Sequence, residues 1–293
     1  MLTQTVSFKP KATEELLDYI FFRRVANYLV PYFIKTKMTP NQISFLSLGF
    51  GLLASVFLGK KYFFLSGTSV ILAIIIDCCD GQVARLTGKT SPMGRILDGM
   101  VDFVWISCFW AVLYNGTGYF QSYGMEIFPL MLLSSISFIL HVWRYDSVKI
   151  KSNELIYPDI NQQDLDAHKA YDFMKESFHK RDFFNGTLAF FNVLHSFFFV
   201  RGSGKKQDCI MNDIKREKLK KILEPVVNIY SYLGVSHHNV LMVAATFMAP
   251  WTPNGYLISF WIMLVPLNLV MFYGEYRYFL AQKATRDILQ RAD

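Results

Sequence analysis

The sequence predicts an all-α, polytopic membrane protein. It would have about six transmembrane helices, an N-terminal amphipathic helix lying in the interface, and a cytoplasmic helical insertion. Three observations carry that expectation. Hydrophobic residues make up 52% of the 293-residue chain and aromatics 16%, more apolar surface than a soluble domain of this length needs. Runs of roughly 15–20 apolar residues recur, each about the length of a bilayer-spanning helix. Helix starts of the cap-then-proline type, Thr39-Pro40, Ser91-Pro92 and Thr252-Pro253, punctuate those runs.

Four segments follow from the pattern: an interfacial segment at 1–38, a membrane core with spans one to four at 39–145, a cytoplasmic insertion at 146–222, and spans five and six with a tail at 223–293. Met1 to Lys11 is polar and does not read as a cleavable signal peptide. In Ala12–Lys37 the residues Leu17, Ile20, Phe21, Val25, Tyr28 and Leu29 recur at helical spacing, with Arg23 and Arg24 elsewhere on the wheel. That stretch suits an interfacial helix, or a soluble helix packed on a neighbour, and Pro31 should bend or end it.

Thr39 opens the first span as a cap, with Gln42 placed to complete a capping box. Ile43–Gly59 then crosses, and Ser47, Gly51, Ser55 and Gly59 form a four-residue stripe of small side chains that lets helices approach closely. Tyr62–Ile76 returns, and Gly88–Ser91 is a polar turn. Gly94–Tyr114 is the third span and Ile127–Trp143 the fourth. Arg144–Lys221 is polar and reads as an insertion of two or three helices, with an apolar patch at Leu188–Val200 that is short for a span and interrupted by Asn192 and His195. A re-entrant or spanning segment over Thr187–Val200 is the alternative. Val235–Trp251 is the fifth span; His237 and His238 at its start are adjacent on a helix and cannot both face one metal, so they suit cap or interface roles. Tyr256–Tyr273 is the sixth, followed by a charged tail.

Charge sets the orientation. With the N-terminus in the cytoplasm, only Lys60 and Lys61 of the 30 Lys and Arg fall in the outside loops Gly59–Tyr62, Asn115–Glu126 and Trp251–Gly255. The net charge of +7 suits anionic lipid and nucleotide substrates and is no sign of nucleic acid. Cys78, Cys79, Cys108 and Cys209 lack metal or framework spacing and read as reduced packing residues.

One stretch carries chemistry. From Asp77 to Asp102 the chain reads Asp77-x2-Asp80-Gly81-x2-Ala84-Arg85-x8-Gly94-x3-Asp98-x3-Asp102. Each acid pair shares a helix face, and four carboxylates beside lipid repel one another unless hard divalent cations sit among them. One arginine cannot neutralise four acids; acids that cap helices and form salt bridges are the bland alternative. The stretch resembles the signature of the CDP-alcohol phosphotransferase family, with no position departing from it. That resemblance implies transfer of a substituted phosphate group from a CDP-alcohol to an alcohol hydroxyl, with release of CMP, in phospholipid biosynthesis. It implies two divalent cations, Mg²⁺ or Mn²⁺, held by Asp77, Asp80 and Asp98, and Asp102 as general base and further ligand. Gly81, Ala84 and Gly94 would let the CDP moiety approach the backbone, and Arg85 would hold its diphosphate, unless it pairs with Asp80 or Asp77 as a helix-end salt bridge.

The donor expected first is CDP-diacylglycerol with a small alcohol acceptor. A CDP-choline or CDP-ethanolamine type enzyme acting on diacylglycerol, and an enzyme using a phosphorylated polyol, are the alternatives. A transporter is a distant one, because the acids lie at one border and no second half repeats them. Expected partners are the CDP-alcohol, the alcohol or lipid acceptor, membrane lipids and a second copy of the chain in a homodimer. The site would face the cytoplasm, at the inner membrane in a bacterium. Family members that use a phosphorylated acceptor typically place Lys or Arg after the fourth Asp, whereas this chain has Phe103, which favours an unphosphorylated acceptor. Lys89, Arg95, Arg144 and Lys149 are the cations that would substitute. Trp105, Trp143 and Tyr145 would contact a cationic head group or act as interfacial anchors. A cysteine placed at Ser122 should react with an impermeant reagent added outside, while one at Ser152 or Asp164 should stay unlabelled; the opposite pattern inverts the topology.

Overall fold

The computed structural model describes residues 14–89, 92–115, 127–157, 167–183, 186–187, 189–190, 193, 213–252 and 254–290. Among them all regular structure is helical. A short π-helical turn, Asp18–Phe22, leads into α1 (Arg23–Lys35). Then come α2 (Pro40–Gly59), α3 (Phe63–Leu86), α4 (Pro92–Asn115), α5 (Ile127–Ile156) and α6 (Ala167–His179). The chain closes with α7 (Asp213–Tyr230), α8 (Val235–Met248), α9 (Gly255–Leu264) and α10 (Pro266–Gln290).

Among the described residues, five helical stretches are long and apolar enough to cross a membrane: Pro40–Gly59, Phe63–Leu86, Leu97–Asn115, Ile127–Ile156 and Gly255–Gln290. The chain is an integral membrane protein. The expected count of about six is not confirmed: α8, with 14 residues, extends about 21 Å, against a hydrocarbon core of about 30 Å. The last crossing is also longer than the sequence suggests, because the expected tail stays helical to Gln290. It is broken at Val265, where Pro266 has no amide to donate to the preceding turn. Pro31, by contrast, neither ends nor interrupts α1, which runs on to Lys35. Nearly all of the apolar stretch Leu188–Val200 and the loop 116–126 lie outside the described residues, as do Ser91 and Cys209.

The chain divides into two compact units. The first, over Glu14–Phe138 and Val235–Pro266 of the described residues, holds α1 to α4, the start of α5, α8 and α9. In it α2 packs on both α3 and α4, α1 packs along α3, and α8 packs on α3 and α9. The stripe on α2 explains that closeness. A Cβ on Gly51 would stand 2.5 Å from Trp105 Cγ, and one on Gly59 would stand 3.3 Å from Val112 Cγ1. Ser47 Oγ donates to the Ala73 carbonyl at 3.0 Å, a bond between α2 and α3. Thr39 and Gln42 form the expected reciprocal capping box at the start of α2, a device worth about 1 kcal/mol. At the other end of α3, Gly88 takes φ +67° and closes a cap in which Lys89 N–H reaches back to the Ala84 carbonyl.

The second unit, over Ile139–Gly234 and Leu267–Asp293, has its own apolar core, with Tyr145, Val148, Leu219, Val227, Tyr230 and Tyr278 among its members. Arg144 makes a two-pronged ion pair with Glu275, whose Oε1 also accepts from Tyr230 Oη at 2.7 Å. Lys149 pairs with Asp146 at 3.1 Å. Ser152 is 2% exposed, and Ser122 and Asp164 lie outside the described residues.

His238 is fully buried with its ring edge-on to Phe138. Substituting Gly51 with Ala should force Trp105 off its rotamer or push α2 from α4. The expected loss is about 1–3 kcal/mol, read as a lowered unfolding midpoint in detergent; an unchanged midpoint means the helices have room to spare.

Candidate metal centre

Asp77 and Asp80 stand on α3, Asp98 and Asp102 on α4, each pair on one helix face. The fold brings three of them together. One carboxylate oxygen from each of Asp77, Asp80 and Asp98 lies within 4.8 Å of the other two. Three anions this close, on helices that cross a membrane, repel one another in a medium that screens poorly. Asp77 Oδ1 and Asp98 Oδ1 are buried and accept no hydrogen bond from the described residues. Three converging carboxylates, two of them with a buried oxygen left unsatisfied, form a hard donor set that fits a Mg²⁺- or Mn²⁺-type cation.

The surrounding side chains aim these oxygens. Ser44, in the first turns of α2, donates its hydroxyl to Asp80 Oδ2. Asp102 stands outside the tight triplet, one turn further along α4, and its Oδ1 accepts from Trp105 Nε1 at 3.0 Å. Trp105 is 2% exposed and lies over Gly51, so it is an internal residue that orients Asp102 and not an interfacial anchor. Tyr145 is likewise buried, while Trp143 keeps an exposed edge. Phe103 is 68% exposed and points away from the protein interior.

The remaining motif residues fall around the acids. Gly81 follows Asp80 directly, and a Cβ there would sit 3.3 Å from Arg85 Nη1. The Arg85 side chain therefore folds back one turn over the glycine. Among the described residues it forms no ion pair with Asp80 or Asp77, so the helix-end salt bridge is not what holds it. Ala84 and Gly94 are half-buried, the first one turn beyond Asp80 and the second one turn before Asp98.

The N-terminal segment completes the surroundings. Arg23 Nε pairs with the buried Glu14 at 3.0 Å, and Gln82 Nε2 on α3 donates to the Arg23 carbonyl at 3.3 Å. Burial opposes the charge on Arg23, but Glu14, Cys78, Asp18 and Asp77 outweigh it and hold the guanidinium above its ordinary pKa. Glu15 accepts the amide protons of Val235 and Ser236 at 3.1 and 2.8 Å, capping α8, and Asp18 accepts from Ser236 Oγ at 2.5 Å.

Ser44, Trp105, Glu14 and Arg23 were not placed by the sequence pattern in these roles. Ser44 continues the small-residue line of α2, and Trp105 lies three residues after Asp102, so each left a faint helical signal. Arg23 left none, since nothing in its spacing ties it to the acids.

Comparison with known proteins bears on the same stretch. A family model described as CDP-alcohol phosphatidyltransferase matches residues 37–154. The Bifunctional IPC transferase and DIPP synthase of Rubrobacter xylanophilus is 36% identical over 69 residues, 24% of this chain and 16% of that protein. The archaetidylinositol phosphate synthase of Aeropyrum pernix is 42% identical over 45 residues, 15% of this chain and 23% of that protein. That of Pyrococcus horikoshii is 35% identical over 65 residues, 22% of this chain and 35% of that protein. The similarity thus spans only about a third or less of each relative. No solved structure matches the chain.

Asp98→Ala should weaken Mn²⁺ binding at least tenfold in a titration followed by electron paramagnetic resonance. Ser44→Ala should weaken it by about tenfold, as loss of an orienting partner does. Asp287→Ala, which removes an exposed acid on α10, should change nothing. Equal affinity in all three would remove the cation from the triplet.

Proposed function

We propose that this chain, which carries a CDP-alcohol phosphatidyltransferase domain at residues 37–154, transfers a substituted phosphate group from a CDP-alcohol to the hydroxyl of an acceptor alcohol, releasing CMP. CDP-diacylglycerol is the donor this reading puts first, with the product a phospholipid. The observation that carries it is the convergence of Asp77, Asp80 and Asp98 with orphaned oxygens, beside an Asp102 held by its own hydrogen bond. The acids lie at the cytoplasmic border in the topology that charge favours, where nucleotide donors are made, at the inner membrane in a bacterium. A homodimer within that membrane is part of the same reading.

Asp77, Asp80, Asp98 and the edge of Asp102 would hold two divalent cations, Mg²⁺ or Mn²⁺, which when bound supply charge neutralisation at the diphosphate. The chain's own residues do the rest. Arg85 faces the donor's phosphates from above Gly81, where the absence of a Cβ leaves room. The small residues Gly81, Ala84 and Gly94 admit the CDP moiety near the backbone. Asp102 takes the acceptor's hydroxyl proton as its oxygen attacks the β-phosphorus. The bond from that phosphorus to the bridging oxygen breaks, and CMP leaves with the electron pair. Trp105 keeps Asp102 turned toward the acceptor during this exchange.

Phe103, exposed beside the base, favours an unphosphorylated acceptor. Arg144 and Lys149, two of the cations that would substitute, are engaged with Glu275 and Asp146. A second reading, a phosphorylated polyol acceptor, draws on the name archaetidylinositol phosphate synthase borne by two relatives. Offering inositol against inositol phosphate, and glycerol against glycerol 3-phosphate, with CDP-diacylglycerol separates them. Preference for the phosphorylated member selects the second reading. Asp102→Asn should abolish turnover and leave donor binding within a few-fold; transfer at a near-normal rate would falsify its role as base.

A further inference from the structure

The N-terminal segment before the matched stretch is built into the surroundings of the acids. Its helix α1 is tied to α3 at two points, Gln82 Nε2 to the Arg23 carbonyl at 3.3 Å and Cys79 Sγ to the Ala26 carbonyl at 3.6 Å. These contacts fix the register of α1 against the helix that carries Asp77, Asp80 and Arg85. They also set Arg23 within the electrostatic reach of Asp77, Asp98 and Arg85.

The pairing of Arg23 is specific in a useful way. Its carboxylate partner Glu14, with a side chain 1% exposed, lies 3.0 Å from Nε, which is buried and makes no hydrogen bond to a described residue. Neither Nη group hydrogen-bonds to a described residue. With the carboxylate standing beside Nε and no hydrogen bond at either Nη, the guanidinium has its fork available for the two-pronged grip that a phosphate takes. Arg85 is the second guanidinium in the same field and likewise forms no ion pair among the described residues. Two like charges brought together on packed helices favour an anionic ligand in addition to the carboxylates already near them. One oxygen from each of the three clustered acids lies within 4.8 Å of the other two, and Asp77 and Asp98 each bury an unpartnered oxygen, so the acids are suited to cations and leave the arginines to another ligand.

We propose that Arg23 is a phosphate-binding residue of this site, delivered by α1 from outside the matched domain and oriented by Glu14. The anion is a substrate phosphate, which rests on the phosphotransfer reading above. It is either the donor's diphosphate or a phosphate on the acceptor. Arg23 touches that phosphate, and Glu14 acts only by positioning Arg23.

The test uses the full chain in detergent with Mg²⁺, and inorganic pyrophosphate as probe. Arg23→Gln should weaken pyrophosphate binding by about 10- to 100-fold, the usual effect of losing a charged hydrogen-bond pair. Arg23→Lys should recover part of it, and Arg24→Gln, on the exposed side of α1, should bind as the parent does. The double variant Glu14→Gln with Arg23→Gln removes the ion pair without leaving a buried charge. If Arg23 only neutralises Glu14, the double variant restores binding, and the proposal is overturned. Unchanged affinity in Arg23→Gln overturns it too, as does a parent chain that binds no pyrophosphate. Retained Mn²⁺ affinity certifies that each variant is folded. With substrates, a raised KM for the CDP-donor at unchanged kcat assigns the phosphate to the donor, and a raised KM for a phosphorylated acceptor assigns it there. A parent that binds pyrophosphate through Arg23 yet turns over no CDP-donor would sink the transfer reading and spare the arginine.

Discussion

Mutual repulsion among carboxylates in a poorly screening medium is the constraint on which the rest of the first unit depends. An acid at the centre of a spanning helix costs a few kcal/mol by itself, and a cluster of them costs more. The chain meets that cost with geometry. Ser44 fixes one oxygen of Asp80, Trp105 fixes one of Asp102, and Asp77 and Asp98, which converge with Asp80, each keep a buried oxygen without a hydrogen bond. None of this works at ordinary helix separations. The line of small residues on α2 is what allows Trp105 to lie against Gly51 and still reach back to Asp102. Packing and chemistry are the same arrangement viewed from two sides.

How much of this was legible in the sequence varies with the physics behind each feature. The acid motif was legible because spacing along a helix determines which side chains share a face. The capping box at Thr39 and Gln42 was legible because it is local. The long crossing after Gly255 was partly legible: its apolar length shows, but the break at Pro266 and the helical continuation to Gln290 depend on packing and on a missing amide. Pro31 misled for a related reason. One lost hydrogen bond on an exposed stretch of α1 is tolerated when Ala26, Val30 and Phe33 are buried around it. The α8 stretch looked like a crossing from hydropathy, but its helix is bounded by a turn at Gly234 and another at Ala249.

Long-range pairings were not legible at all. Arg23 with Glu14 and Gln82, Glu15 with the start of α8, and Arg144 with Glu275 join residues with no shared periodicity. Their effect on function is nonetheless direct. Arg144 and Lys149 are cations that composition alone would offer to a substrate, and the fold commits both to carboxylates of the second unit. The fold makes Arg23 available instead, from a segment whose sequence suggested an interfacial helix or one packed on a neighbour.

The cap that Glu15 places on α8 has a consequence for how the protein is made. Its two ends lie 220 and 221 residues apart along the chain. At a synthesis rate of 5–20 residues per second, roughly ten to forty seconds separate their emergence from the ribosome. During that interval the N-terminal segment has its lipid-facing aromatics and its place along α3, but its carboxylates wait without the amides they will receive. The spans carrying the acids are inserted first and locked last. A nascent chain stalled before residue 235 would hold the whole acid motif in the membrane with the helix entrance beside it unsealed.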